Sequence, residues 1–90
     1  DEVLMNIGDI RLRMHQYDAG VASYEKLIKD FPESLALDIA LVKIGAAYDL
    51  GLHNNAKAIE TYQRLLEKYP NSIYVSEVRQ RVRALRGETI

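Results

Sequence analysis

The 90-residue sequence contains no cysteine, and none of its apolar runs approaches the length that crosses a bilayer. The lack of cysteine excludes disulfides and metal sites built on thiolates, but it leaves the cellular compartment open. A membrane-spanning helix needs about 18 or more largely apolar residues, so no membrane insertion is predicted. The 12 basic and 13 acidic residues give a net charge of −1, which provides no general attraction to nucleic acid.

Groups of residues that would carry catalysis are also missing. There is no glycine-rich phosphate loop, and without cysteine there is no Cys–His pair. His15 and His53 could approach each other, but two ligands without a matching set of carboxylates or thiolates make a weak metal site. The sequence therefore predicts a protein that is not an enzyme and that binds no metal or cofactor.

The only two prolines belong to an internal repeat. Residues 24–34 recur in lightly altered form as residues 62–72, an offset of 38. Repeats of about 20 to 50 residues indicate stacked units, each of which buries its apolar face against a neighbour. Because such proteins usually act through their surfaces, the repeat favours binding or scaffolding.

Apolar residues at spacings of three and four predict helices along the whole chain and no strand. Pro32 and Pro70 end the second and fourth helices, because proline lacks an amide donor and disfavours helical geometry in the residue before it. The predicted helices cover residues 2–14, 18–30, 34–50, about 54–69 and 72–86.

Residues that favour helix ends stand between these segments. Ser34, Ser72 and either Asn54 or Asn55 are predicted N-caps, because their side-chain oxygens can accept from free amides of the first turn. Gly51 is predicted to supply a left-handed C-terminal cap after the third helix.

The repeated residues resemble the tetratricopeptide repeat (TPR) family. That motif places a small residue after an apolar one in the first helix of each repeat, and an aromatic residue and a proline in and after the second. The matching positions are Leu4, Ile7, Gly8, Tyr17, Gly20, Tyr24, Leu27 and Pro32, and then Leu41, Ile44, Gly45, Tyr48, Ala58, Tyr62, Leu65 and Pro70. The resemblance implies an all-α, right-handed α-solenoid of two helical hairpins plus a C-terminal capping helix, five helices in total.

One TPR domain is therefore expected over residues 1–90. Repeat one would span residues 1–33, repeat two residues 34–71, the capping helix residues 72–86 and a tail residues 87–90. The chain opens with Asp1 rather than methionine and shows no signal peptide, so we expect a fragment of a longer chain.

Gly8 and Gly45 are expected where the two helices of each hairpin approach most closely, since a side chain there would push them apart. A glycine inside a helix costs about 1 kcal/mol relative to alanine, so close packing explains its presence.

The wording of residues 24–34 and 62–72 is similar to the bacterial cell-envelope branch of the family, which includes the Tol–Pal coordinator protein and an outer-membrane assembly lipoprotein. This narrower resemblance implies a scaffold in the periplasm or cell envelope, with the cytoplasm as the alternative compartment. The other functional hypothesis is a regulatory or sensor appendage of an enzyme whose catalytic domain lies elsewhere.

In this family the first helices of successive hairpins line a concave groove that binds a protein or peptide. The positions carried over are Glu2, Met5, Asp9, Leu12, Arg13, Ile39, Val42, Ala46, Asp49 and Leu50. Residues 34–50 independently show two apolar stripes, one more than packing on a single core requires. The second stripe is either a groove for a partner or a surface covered by neighbouring helices. It consists of Leu35, Ile39, Val42, Ala46 and Leu50.

The first helix carries an apolar line that has no predicted neighbour. Val3, Ile10 and Met14 occupy places that should pack on a preceding hairpin. They are expected to lie bare, so the chain either continues a longer array or self-associates through this face.

Arginines distinguish the last helix. Arg79, Arg83 and Arg86 share one face, which either meets an acidic partner or is a solvated surface. Arg83 and Arg86 stand where the motif has glycine and an aromatic residue, as expected of a capping helix. Arg81, four residues after Glu77, is expected to form a surface ion pair with it.

Overall fold

The computed structural model describes residues 1–88, which form five helices and no strand, as the sequence predicts. Thr89 and Ile90 of the predicted tail lie outside the described residues. The helices are α1 (Glu2–Arg13), α2 (Tyr17–Asp30), α3 (Leu37–Ala46), α4 (Asn55–Lys68) and α5 (Val75–Leu85). A wide turn (Ala47–Gly51) extends α3, and in it Leu52 N donates to the Ala47 carbonyl five residues earlier.

The helices form two hairpins and one further helix. α1 packs against α2, α3 against α4, and α5 against α4, while α2 also contacts α3 and so joins the hairpins. The smallest dimension is 16 Å, as expected of two helix layers packed about 8–10 Å apart. The predicted fold class is confirmed.

α3 contributes to two apolar cores, which explains why this helix is apolar on more than one side. The first core joins α1, α2 and α3, and the second joins α3, α4 and α5. The buried members of the first are Val21, Tyr24, Leu27, Leu37, Ala40, Ile44 and Ala47. The buried members of the second are Leu41, Ala58, Tyr62, Leu65, Val78 and Val82.

Gly8 and Gly45 lie at the closest approach within each hairpin, as expected. A Cβ added at Gly8 would come closer than 3.0 Å to the ring of Tyr24, and one at Gly45 equally close to the ring of Tyr62. Both rings are buried, so they cannot move aside. The paired glycine and tyrosine therefore set the helix spacing of each repeat.

The predicted caps at Ser34 and Ser72 are wrong, because α3 and α5 begin three residues after each serine. The two hydroxyls instead accept from the amides of Ala36 and Tyr74. They also donate to the carboxylates of Asp1 and Asp38, so each serine ties the end of a repeat to its beginning.

The prediction for Gly51 is also wrong. The left-handed backbone occurs at His15 (φ 59°) and His53 (φ 51°), which hold the same place in the two hairpins. Gly51 lies beneath the ring of Tyr17, where a Cβ would come within 3.0 Å of the ring carbons. A glycine is therefore needed here because Tyr17 of the first hairpin packs against it, and not because the turn requires a left-handed backbone.

Asn54 is confirmed as the N-cap of α4, where its Oδ1 accepts from Lys57 N at 3.1 Å. Asn54→Ala removes that acceptor and is expected to cost about 1 kcal/mol, a fall in Tm of roughly 4–8 °C for a domain of this size. Thermal unfolding followed by circular dichroism measures it. Asn55→Ala is the matched control, since Asn55 is exposed and makes no capping bond. Equal losses in both variants would contradict the assignment.

Candidate functional site

A partly buried group of hydrogen-bonded side chains ties the two hairpins together on the side of the first helices. The Tyr24 hydroxyl donates to Asp9 Oδ1 at 2.6 Å, and Lys43 Nζ donates to the same oxygen at 2.7 Å. Burial alone would raise the pKa of the Asp9 carboxyl, but these two bonds and the charges of Lys43 and Arg13 lower it overall. We call Tyr24, Asp9 and Lys43 the first triad.

A second triad of Tyr62, Asp49 and Arg81 joins repeat two to α5. The Tyr62 hydroxyl donates to Asp49 Oδ2 at 3.1 Å, and Arg81 Nη2 donates to Oδ1 at 2.8 Å while its Nε donates to Oδ2. The Arg81 bonds lower the pKa of the Asp49 carboxyl against the effect of burial. Arg81 is therefore paired with Asp49, and its predicted surface pair with Glu77 is wrong.

The two triads differ in where the carboxylate stands. Lys43 and Arg81 occupy equivalent places, 38 residues apart. Asp9, however, directly follows the glycine of its repeat, whereas Ala46 occupies that place in repeat two. Because an alanine cannot reach the next helix, Arg81 binds Asp49, which lies about one turn further along.

A groove opens between α3 with its wide turn and α5, beside Ala46. Its volume is about 510 Å³. The lining is mostly apolar, from Val42, Ala46, Leu50, Tyr74, Val78 and Ala84. Polar groups complete it, from Asp49, Tyr62, Glu77, Gln80 and Arg81. The groove thus joins an apolar floor to a fixed ion pair.

Four predicted groove residues line this space, namely Val42, Ala46, Asp49 and Leu50. Leu50 is the most accessible of them, at 66% exposed. Val42 also packs against the second core. It therefore fits both alternatives for the second stripe, the groove for a partner and the surface covered by neighbouring helices. No member of that stripe is fully buried, and Leu35 is completely exposed.

The predicted groove residues of repeat one lie elsewhere. Met5 and Leu12 pack against the first core, and Asp9 is held in the first triad. Glu2 and Arg13 are exposed on α1. Ile39 is partly buried and does not line the groove. The paired side chains of Lys43 and Asp9 lie between α1 and α3, and the apolar groove lies instead between α3 and α5. Partner binding at the predicted groove residues of repeat one stays a prediction.

The side of α5 that carries Arg79, Arg83 and Arg86 does not face the groove. Arg79, Arg83 and Arg86 are exposed, and within residues 1–88 they make no ion pair. Their equivalents on α3 are Leu41, Gly45 and Tyr48, which pack against α4. A helix that packed on α5 as α4 packs on α3 would have to bury these three arginines. The acidic partner for this face stays a prediction.

Sequence reasoning missed the α5 side of the groove and the role of Arg81. Tyr74, Glu77 and Gln80 line the groove from α5 and the residue before it, and none of the three was predicted to do so. Lys43 and Arg81 are 38 residues apart, which is the offset of the internal repeat. This equivalence is the signal from which a carboxylate partner on the preceding first helix could have been predicted for both cations.

The structure offers no cation site or bilayer-spanning segment in the part that it describes. Over residues 1–88 there is no cluster of three or more metal-ligating side chains. His15 Nδ1 lies 2.7 Å from the Tyr17 hydroxyl, to which it is hydrogen-bonded. No helix in the same range has the length and hydropathy needed to cross a bilayer.

Comparison with known families agrees with this geometry. The tetratricopeptide repeat model matches residues 2–34 and again residues 39–72. No curated protein matches the sequence. The two matches cover most of the chain and coincide with the two hairpins, each with its buried glycine–tyrosine contact. TPR repeats generally mediate protein–protein interaction and are typically non-catalytic. The chain belongs to the tetratricopeptide repeat family.

Proposed function

We propose that this protein is an interaction scaffold that binds a helix or extended peptide of a partner protein in the groove between α3 and α5. The observation that carries the proposal is the accessible apolar lining of the groove, in which Leu50 is 66% exposed. Burying such surface is worth about 25 cal/mol per Å², so an apolar side chain of a partner would be stabilised there.

The polar residues of the groove support binding over catalysis. Asp49 is buried, and its oxygens already accept from Tyr62 and Arg81. Burial and the neighbouring carboxylate raise the pKa of Tyr62, so its hydroxyl stays a donor. These groups form a rigid edge that can orient a partner, because their positions are fixed before binding.

The finer proposal is a scaffold in bacterial envelope assembly. It rests on the wording of residues 24–34 and 62–72, which is similar to the envelope branch of the family. The second candidate is a regulatory or sensor appendage of an enzyme. The full-length sequence separates the two, since a lipoprotein signal supports the first and a catalytic domain supports the second.

A displayed random-peptide library selected on the purified chain tests groove binding. Selected peptides are expected to carry apolar residues at helical or alternating spacing. Leu50→Glu should weaken their binding at least tenfold, because a carboxylate would have to be buried beside the apolar floor. Leu35→Glu is the matched control, as Leu35 is fully exposed and lies outside the groove. Peptides that bind both variants equally well would place the binding surface elsewhere.

A further inference from the structure

The exposed side of α1 is apolar along its full length. Val3 is 69% exposed, Ile10 47% and Met14 59%, and Ile7 continues the same line. Their spacing of four, three and four residues places them on one face of the helix. Ile7 borders Ala22 and Ser23 of α2, and none of the four residues lines the groove between α3 and α5.

In the other two first helices the equivalent face is covered. Ala40 and Ile44 of α3 and Ala47 of the wide turn are at most 3% exposed, because α2 packs over them. Val78 and Val82 of α5 are buried in the same way against the second core. The face of α1 therefore has the character of a helix-packing surface in this fold, and no helix within residues 1–88 covers it.

The line on α1 is self-complementary. Its members are placed symmetrically about the midpoint between Gly8 and Asp9, so an antiparallel copy of α1 sets Val3 against Met14 and Ile7 against Ile10. Closed two-fold pairing of this kind, in which the same surface is used by both subunits, is the commonest symmetry of oligomers. Met14, the longest side chain of the line, thereby meets Val3, the smallest.

The charges beside the line select the antiparallel orientation. Glu2 and Arg13 stand at opposite ends of α1, eleven residues or about three turns apart, so they lie on the same side of the line. Both are exposed, and neither makes an ion pair or side-chain hydrogen bond within residues 1–88. An antiparallel two-fold pair brings Glu2 of each copy to Arg13 of the other, because it keeps both residues on the same side of the interface. A parallel two-fold pair would place the Glu2 and Arg13 of the two copies on opposite sides of the interface, where they could not pair.

The remaining cation near this face is already engaged. Arg11 Nη1 donates to the Ser23 hydroxyl at 2.9 Å and to the Ala19 carbonyl at 3.2 Å. Its guanidinium is therefore directed back onto α2 and does not oppose a second copy. From this arrangement we propose that the protein forms a two-fold homodimer through antiparallel packing of α1 against α1.

Sedimentation equilibrium of the 90-residue chain over a wide concentration range tests the proposal. A reversible dimer is expected. Ile10→Glu should abolish it while circular dichroism shows an unchanged helix content, because Ile10 is half exposed in the monomer. Ile73→Glu, at an 86% exposed position between α4 and α5, is the matched control and should dimerise normally.

Charge reversal tests the orientation. Glu2→Arg and Arg13→Glu should each weaken the dimer about tenfold, since each creates two repulsive contacts related by the two-fold axis. The double variant Glu2→Arg, Arg13→Glu should restore the original affinity. A strict monomer, which would leave this face to another repeat hairpin, overturns the proposal. A dimer that tolerates Ile10→Glu, or one that the double variant fails to restore, overturns it as well.

Discussion

Gly45→Leu is expected to unfold the protein or to lower its Tm by more than any other single change in the second hairpin. Even a Cβ at this position would come closer than 3.0 Å to the ring of Tyr62, and a leucine adds three further carbons. Tyr62 is only 5% exposed and its hydroxyl is bound to Asp49, so the ring cannot withdraw. Overpacking typically costs about 1–3 kcal/mol and sometimes more, against a total stability of about 5–15 kcal/mol.

Thermal and urea unfolding, followed by circular dichroism, measure the loss. Ala56→Leu is the control, because it introduces the same side chain on the exposed side of α4. Gly45→Ala should also destabilise the protein, although alanine favours a helix by about 1 kcal/mol over glycine. If Gly45→Leu left the midpoint unchanged, the close approach of α3 and Tyr62 would not be a requirement of the fold.

Arg81→Met is expected to lower stability at neutral pH by about 1–3 kcal/mol, because it removes two hydrogen bonds and the positive charge from the buried Asp49 carboxylate. Asp49 is 4% exposed but Arg81 is 45% exposed, so solvent screens part of the pair and limits the loss. Arg79→Met removes the same kind of side chain from an exposed place on the same helix and should have little effect.

The effect of Arg81→Met should depend on pH with a definite sign. Arg81 lowers the pKa of the Asp49 carboxyl below its ordinary value of 3.8, so the stabilisation is fully present above that value. It is lost as the pH falls through 3.8 toward the lowered pKa, since protonation removes the charge that Arg81 binds. The difference in unfolding free energy between wild type and variant should therefore be largest near neutral pH and shrink in acid. A difference that stays constant across this range would contradict an ionic role for the pair.

The course of the chain follows from features that are local in sequence. Pro32 and Pro70 end their helices as predicted, because proline acts on its own backbone and on the residue before it. Asn54 is also a local device, bonding three residues ahead. By contrast, the bonds that Ser34 and Ser72 donate to Asp1 and Asp38 span more than 30 residues, so local sequence rules could not show them.

The extent of the groove depends on one difference between otherwise matched positions. The family resemblance predicted that residues of both α1 and α3 line the groove. Lys43 of α3, however, bonds to Asp9 of α1, whereas Ala46 makes no such bond to α5, and the groove lies beside it between α3 and α5. Arg81 offered a plausible local partner in Glu77, four residues earlier, so helix periodicity alone favoured the wrong pair. The correct partner, Asp49, becomes apparent only when α3 and α5 are adjacent in space.

The triads have a consequence for how such a chain can be altered or recombined. Each one takes its tyrosine and carboxylate from one hairpin and its cation from the first helix of the next. A sequence repeat is therefore not a self-contained unit of exchange, because transplanting it alone would separate a carboxylate from the cation that neutralises it. The exchangeable module is one hairpin together with the first helix that follows, and neighbouring modules of this kind overlap by one helix.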